Sequence, residues 1–140
     1  MMERFPLLES LDLESMPRGR VTKVRIAISH DGLGRAVWLP VIVVRGSRDG
    51  PVFGLTAAVH GNELNGIPVI HRLVERIDPS KLKGTLVCVA VVNIPGFLLR
   101  RRGFGEGMDL NKEMPGRADG NASQFYVHRF LERVVRHFDY

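Results

Sequence analysis

His60, Gly61, Asn62 and Glu63 set an imidazole and a carboxylate three residues apart. Zinc accepts nitrogen and oxygen ligands at ~2.0–2.2 Å, and a short spacer lets both reach one ion from a single loop. Gly61 permits tight backbone geometry between them. The tetrapeptide alone has a plainer reading, a capped helix start with a surface His and Glu, since His-x-x-Glu is common by chance. A second stretch strengthens the first. Asp109-Leu110-Asn111-Lys112 precedes Met114-Pro115-Gly116, Arg102 lies a little upstream, and Asn93-Ile94-Pro95-Gly96-Phe97 opens the segment. An amide and several cations converging beside a metal suit a carboxylate-bearing substrate, and they can polarise a carbonyl oxygen. The plainer alternatives are Asp109 as a turn former, Asn111 as a loop cap and residues 100–112 as a solvated basic loop.

These residues need elements to hold them. Val21, Val24, Ile26 and Ile28 alternate with polar residues, so 21–28 reads as an edge or half-exposed strand. Residues 30–34 form a turn, and the apolar run 36–44 completes a hairpin, with Pro40 arguing for a sheet edge or a bulge. Residues 45–51 read as a loop and 52–58 as a buried strand ending at His60. Apolar residues at 64, 67, 70, 73, 74 and 77 have helical spacing, with Asn62 as the expected N-cap, Pro68 tolerated early and Asp78-Pro79 as the stop. The run 85–92 is almost uniformly apolar and β-branched, the mark of a strand buried on both faces. Strand, helix and strand joined this closely make a βαβ crossover with two parallel strands. Residues 93–120 show no period, and 121–138 is a second amphipathic helix with Tyr126, Phe130 and Phe138 as core contacts. The fold class is therefore α/β, a mixed sheet with an N-terminal hairpin. Sites in such sheets collect in loops at the carboxyl ends of strands, where both chemical stretches fall.

Residues 1–19, punctuated by Pro6 and Pro17, read as an N-terminal arm in which Leu7, Leu8 and Leu11 make a helical turn or two. The 140 residues are 44% hydrophobic and 25% charged, which argues against disorder of the whole. No apolar run reaches the ~20 residues of a membrane helix. Cys88 is the only cysteine, which excludes an internal disulfide framework and fits a reducing cytoplasm. In mid-strand it reads as a small hydrophobe. Lys and Arg outnumber Asp and Glu 20 to 15, a formal charge of +5. The one dense basic run, Arg100-Arg101-Arg102, has no interleaved aromatic residues, so a nucleic-acid groove is the minor option. The helical His71, His128 and His137 read as solvated, His30 in the hairpin turn has no reason to approach the site, and Glu106 and Glu132 are weak general-base candidates.

Together, His60-Gly61-Asn62-Glu63, Asn93-Ile94-Pro95-Gly96-Phe97, Arg102 and residues 109–116 resemble the succinylglutamate desuccinylase/aspartoacylase family of the zinc carboxypeptidase-like superfamily. The resemblance runs from about residue 20 to the end. It implies that 20–140 is the N-terminal portion of such a catalytic domain, with His60 and Glu63 as two of three protein zinc ligands. It further implies that Arg102 stabilises the oxyanion of the scissile carbonyl and that Asn111 and Lys112 grip the substrate carboxylate. The implied reaction is hydrolysis of the amide of an N-acyl amino acid or similar small carboxylate, with zinc activating water. Lys112 stands where the family usually has arginine, which keeps the charge but loses the bidentate fork. Met114 stands where phenylalanine is usual. The family's third ligand, a histidine on the strand after the last helix, and its catalytic glutamate have no counterpart here, so the chain is expected to be incomplete for catalysis alone. A completing chain or a homo-oligomer, and a sheet edge open to pairing, are the corresponding expectations. Two alternatives stand beside the hydrolase: a non-catalytic module binding an acidic metabolite, and a nucleic-acid binder using Arg100 to Arg102.

Overall fold

A computed structural model describes residues 5–140; the first four residues of the expected arm lie outside the described residues. Five strands, β1 (Leu7–Leu8), β2 (Arg20–His30), β3 (Ala36–Arg45), β4 (Arg48–Thr56) and β5 (Lys83–Val89), form one mixed sheet in the order β1-β2-β3-β5-β4. β2 and β3 are the expected antiparallel hairpin, each longer than its apolar core predicts. β4, helix α1 (Gly66–Arg76) and β5 are the expected βαβ unit, with β4 and β5 parallel.

Each sheet face has its own core. Val24, Ile26 and Ile28 of β2 and Val41 and Val43 of β3 meet Tyr126, Val127 and Phe130 of helix α4 (Ala122–Arg133). Ile42 and Val44 of β3 point the other way, with Leu86 and Cys88 of β5 and Ile70 of α1. This is the period-2 alternation of a strand buried on both sides. The arm joins the first core through buried Leu11 and Met16. Buried Arg45 holds it there, donating to the carbonyls of Glu14 at 2.9 Å and Met16 at 2.7 Å and pairing with the Glu14 carboxylate.

The structure departs from the sequence reading in definite places. Leu7 and Leu8 form a parallel bridge to β2 rather than a helical turn, because Arg25 N–H donates to the Pro6 carbonyl. The loop expected at 45–51 shrinks, since β4 starts at Arg48. β4 is not buried: it is the last strand of the sheet, with β5 as its one partner strand. Pro40 lies on an interior strand. Its partner Arg25 turns its N–H toward Pro6, so Pro40 faces the other side, and there pairing with β5 begins only at Ile42. The missing N–H therefore deprives no ladder.

The helix expected over 64–77 begins at Gly66, and the cap is Asn65 rather than Asn62, without a side-chain capping bond. Residues 93–120 hold two short helices, α2 (Ile94–Leu98) and α3 (Leu110–Glu113), started by the Asn93 and Asp109 side chains. α4 opens on a full capping box of Asn121 and Gln124 and stops at Arg133, where a 3₁₀ turn (Val135–His137) follows. His137 is half-buried rather than solvated. The chain then meets the outer edge of β4. Asp139 N–H donates to the Val52 carbonyl and Gly54 N–H to the Tyr140 carbonyl, both at 2.8 Å. The Phe138 ring fills the space a side chain at residue 54 would need.

Candidate metal and substrate site

Two loops meet where β4 and β5 end. Past β4, Ala57 N–H donates to Val89, its carbonyl accepts from Val92, and the Ala58 carbonyl accepts from Asn93, at 2.9–3.0 Å. Ala58 is buried with φ at 48°, a left-handed conformation costly for a residue with a Cβ. That turn carries the chain out of the sheet into His60.

The second loop is fastened under the first. Asn93 is fully buried; its Oδ1 accepts from Gly96 N–H at 2.9 Å and its Nδ2 donates to the Arg102 carbonyl at 3.4 Å. Tyr126 holds the same corner, donating its hydroxyl to the Val92 carbonyl at 2.7 Å. The Gly61 backbone lies on that of Gly96 and Phe97, so closely that a Cβ would overlap them, and Gly61 N–H donates to the Arg102 carbonyl at 3.1 Å. The two loops act as one platform.

His60 stands at the centre of a charged relay. Its Nδ1 lies 3.1 Å from Glu63 Oε1, and its Nε2 lies 2.9 Å from Asp109 Oδ1. Arg102 Nη1 pairs with the same Glu63 oxygen. Asp109 also caps α3, accepting from Asn111 N–H at 3.0 Å. An ionised carboxylate can only accept, so Asp109 favours a proton on Nε2 and Glu63 favours one on Nδ1, and the protonated ring satisfies both. The hydrogen bond His60 donates to Asp109, helped by that to Glu63, raises the His60 pKa above its ordinary value against the opposing effect of burial. His60 in turn lowers the pKa of Glu63, where Arg102 adds to the effect, and that of Asp109.

The donor set suits a zinc ion. A tetrahedral ion with ligands at ~2.0–2.1 Å has donor atoms roughly 3.3 Å apart along each edge. Nδ1 and Oε1 are 3.1 Å apart as a hydrogen-bonded pair, so the two donors are already side by side. A histidine whose other nitrogen is held by a carboxylate is the usual arrangement at a protein metal centre. Among the described residues, no group of three or more His, Cys, Asp and Glu side chains is placed to hold a metal. Beside Glu63 lies an open hollow of about 840 Å³, lined by 56–59 and 62–66.

Of the residues singled out in the sequence, His60, Glu63 and Arg102 are in direct contact. Asn111 and Lys112 follow Asp109 on α3, both exposed, and are tied to the cluster through Asp109: Asn111 N–H donates to its carboxylate and Lys112 N–H to its backbone carbonyl. The sequence reading missed Ala58 and left two named residues without their tertiary roles. Asp109 read as a turn former, which its capping role bears out, but its second partner lies 49 residues away. Asn93, which opens the 93–97 stretch, caps α2 and also ties the loop to Arg102. Ala58 acts through a left-handed backbone that nothing in its neighbourhood signals.

Residues 49–139, more than half of the chain, match the family described as Succinylglutamate desuccinylase/Aspartoacylase catalytic domain. The chain is 32% identical over 114 residues to an N-alpha-acetyl-L-2,4-diaminobutyric acid deacetylase of Halomonas elongata, covering 80% of this chain and 33% of that protein. It is 29% identical over 126 residues to a succinylglutamate desuccinylase of Pseudomonas paraeruginosa, covering 86% of this chain and 37% of that one. The crystal structure of an aspartoacylase family protein from Mesorhizobium loti superposes with a TM-score of 0.77 at 27% identity, covering 92% of this chain and 40% of that chain. The chain thus spans about a third of the length of these two curated relatives. On the family match and the shared mixed α/β architecture, the chain belongs to the succinylglutamate desuccinylase/aspartoacylase family, with its zinc carboxypeptidase-like fold.

Proposed function

We propose that this chain contributes His60, Glu63 and Arg102 to a zinc-dependent hydrolase that cleaves the amide of an N-acyl amino acid or similar small carboxylate. The observation that carries the proposal is the pairing of His60 Nδ1 with Glu63 Oε1 at 3.1 Å, with His60 Nε2 held by Asp109. The deacetylase and desuccinylase names of the relatives support the reaction class.

In this reading His60 and Glu63 hold the metal. A zinc ion bound there supplies Lewis-acid polarisation of the scissile carbonyl and a lowered pKa for attacking water. Asp109 keeps the His60 proton on Nε2, so the ring presents Nδ1. Arg102 sits on the Glu63 carboxylate and exchanges that partner for the negative oxygen that develops during amide cleavage. Asn111 and Lys112, presented on α3, bind the substrate carboxylate, Lys112 as a point charge rather than a fork. A third metal-binding side chain and the general base come from outside the described residues. The lone buried thiol of Cys88 supports a cytoplasmic setting.

Elemental analysis of the purified protein and of His60→Ala and Glu63→Ala tests the metal assignment. Near-stoichiometric zinc, lost in both variants, is expected. Unchanged zinc in both would overturn it.

One observation favours a second reading, a module that binds an acidic metabolite without turnover: no three-ligand metal cluster exists among the described residues. Carboxylate binding that depends on Lys112 and Asn111 but not on zinc would establish that reading. The nucleic-acid reading gains less, because Arg102 is committed to Glu63 and the three arginines do not form one free basic surface.

A further inference from the structure

Helix α2 ends in a Schellman motif. Arg100 N–H donates to the Phe97 carbonyl at 3.1 Å and Arg101 N–H to the Gly96 carbonyl at 2.8 Å, with Leu99 as the C-cap. The residue after the cap of such a motif adopts the left-handed conformation and is usually glycine, which has no Cβ to clash. Here it is Arg100, with φ at 53°. The chain therefore carries a long cationic side chain at a position where its backbone is strained and glycine would relieve it. Such a side chain is poorly placed for stability and well placed for use.

Arg100 borders a hollow of about 550 Å³ lined by Gly61, Asn62, Leu64, Phe97 and Leu98. Two of its lining residues, Gly61 and Asn62, link His60 to Glu63. Its apolar wall is open to solvent: Leu98 is 72% exposed and Leu64 is 47% exposed. Arg100 takes part in none of the ion pairs formed among the described residues. An apolar surface with one uncommitted guanidinium at its rim matches an aliphatic chain ending in an anion.

We infer that this hollow is a subsite for an aliphatic carboxylate, its chain against Leu64, Phe97 and Leu98 and its carboxylate on Arg100. That it holds the distal end of the substrate's acyl group rests on the proposed hydrolase site; that it binds an aliphatic carboxylate does not.

The test is titration of the full 140-residue chain with octanoate, octanamide and acetate, followed by calorimetry and backbone amide shifts. Octanoate is expected to bind and to shift residues 61–64 and 97–100. Octanamide, lacking the charge, and acetate, lacking the chain, are expected to bind at least about tenfold more weakly. Arg100→Gly is expected to raise Tm by about 2–4 °C by relieving the left-handed strain, and to weaken octanoate about five- to tenfold. Arg100→Lys is expected to keep most of the binding without the gain in Tm. Leu98→Ser, at an exposed position, is expected to weaken octanoate alone.

No octanoate binding, equal binding of octanamide, or an Arg100→Gly variant that gains stability and binds octanoate unchanged would each overturn the inference. The His60→Ala variant separates the two proposals. Octanoate binding that survives there while zinc is unaffected would sink the metal assignment and leave the subsite standing. Zinc lost in His60→Ala, with no octanoate bound by any form, would do the reverse.

Discussion

Nε2 of His60 lies 2.9 Å from Oδ1 of Asp109, a residue 49 positions further along the chain that also caps α3. One carboxylate thus orients the imidazole and starts the helix that presents Asn111 and Lys112. In the proposed site, the metal-binding and the substrate-binding residues therefore share a single anchor.

Asp109→Asn should lower zinc affinity about 10- to 100-fold, the usual effect of losing the outer partner of a metal-ligating histidine. The amide can still cap α3, so the circular-dichroism spectrum should be preserved. Competition against a chromophoric chelator measures the affinity; an unchanged constant would remove Asp109 from the site.

Arg102→Ala should act in opposite directions on metal and substrate. Removing a cation from the Glu63 carboxylate should strengthen zinc modestly, about two- to fivefold, because an exposed ion pair competes only weakly. Binding of an acyl amino acid should weaken. Both effects can be read by calorimetry on the same preparation, and weakening of both would show Arg102 to be structural.

Gly61→Ala should destabilise the fold by about 1–3 kcal/mol, because the new methyl overlaps the backbone of Gly96 and Phe97. Gly32→Ala, in the hairpin turn where a Cβ meets nothing within 4 Å, is the control. Urea denaturation distinguishes them.

Tyr126→Phe removes the hydroxyl that donates to the Val92 carbonyl beneath the second loop. A cost of about 1–2 kcal/mol is expected for the buried acceptor left behind. The same urea titration reads it, and a variant as stable as wild type would show the corner to be held without it.

Burial pushes the Cys88 thiol up to about 11. A thiolate is the reactive form, so the native protein should resist disulfide reagents at pH 8 and react promptly once denatured. Fast reaction of native protein would show that β5 opens readily.

Much of this architecture is legible in the residues. The alternation of Val24, Ile26 and Ile28, the uniform run through β5 and the helical spacing of α1 and α4 give the hairpin, the crossover and both layers. Burial enforces those patterns, so they leave a periodic trace. β4 leaves no comparable trace: Val52, Phe53 and Leu55 are as apolar as a central strand, yet the sheet places them at its rim. His60 and Glu63 are legible because a local spacer suffices to join them. The contacts of Asp109 with His60 and Arg102 with Glu63 depend on tertiary folding, which local patterns do not encode. α2 and α3 are too short to show a period and declare themselves only through their caps.

The arm and the last helix grip each other directly. Ser10 Oγ donates to the Arg133 carbonyl at 3.2 Å across 123 residues, Leu11 N–H donates to the same oxygen at 2.9 Å, and Glu9 pairs with the Arg133 guanidinium. Closure of so long a loop must precede the native packing of Leu11 and Met16, so this clasp belongs late in folding. During synthesis the arm leaves the ribosome well before α4 and waits for it. Until Arg133 emerges, Leu11 and Met16 lack their final partners, and the nascent chain is a natural client for a chaperone that shields short apolar segments.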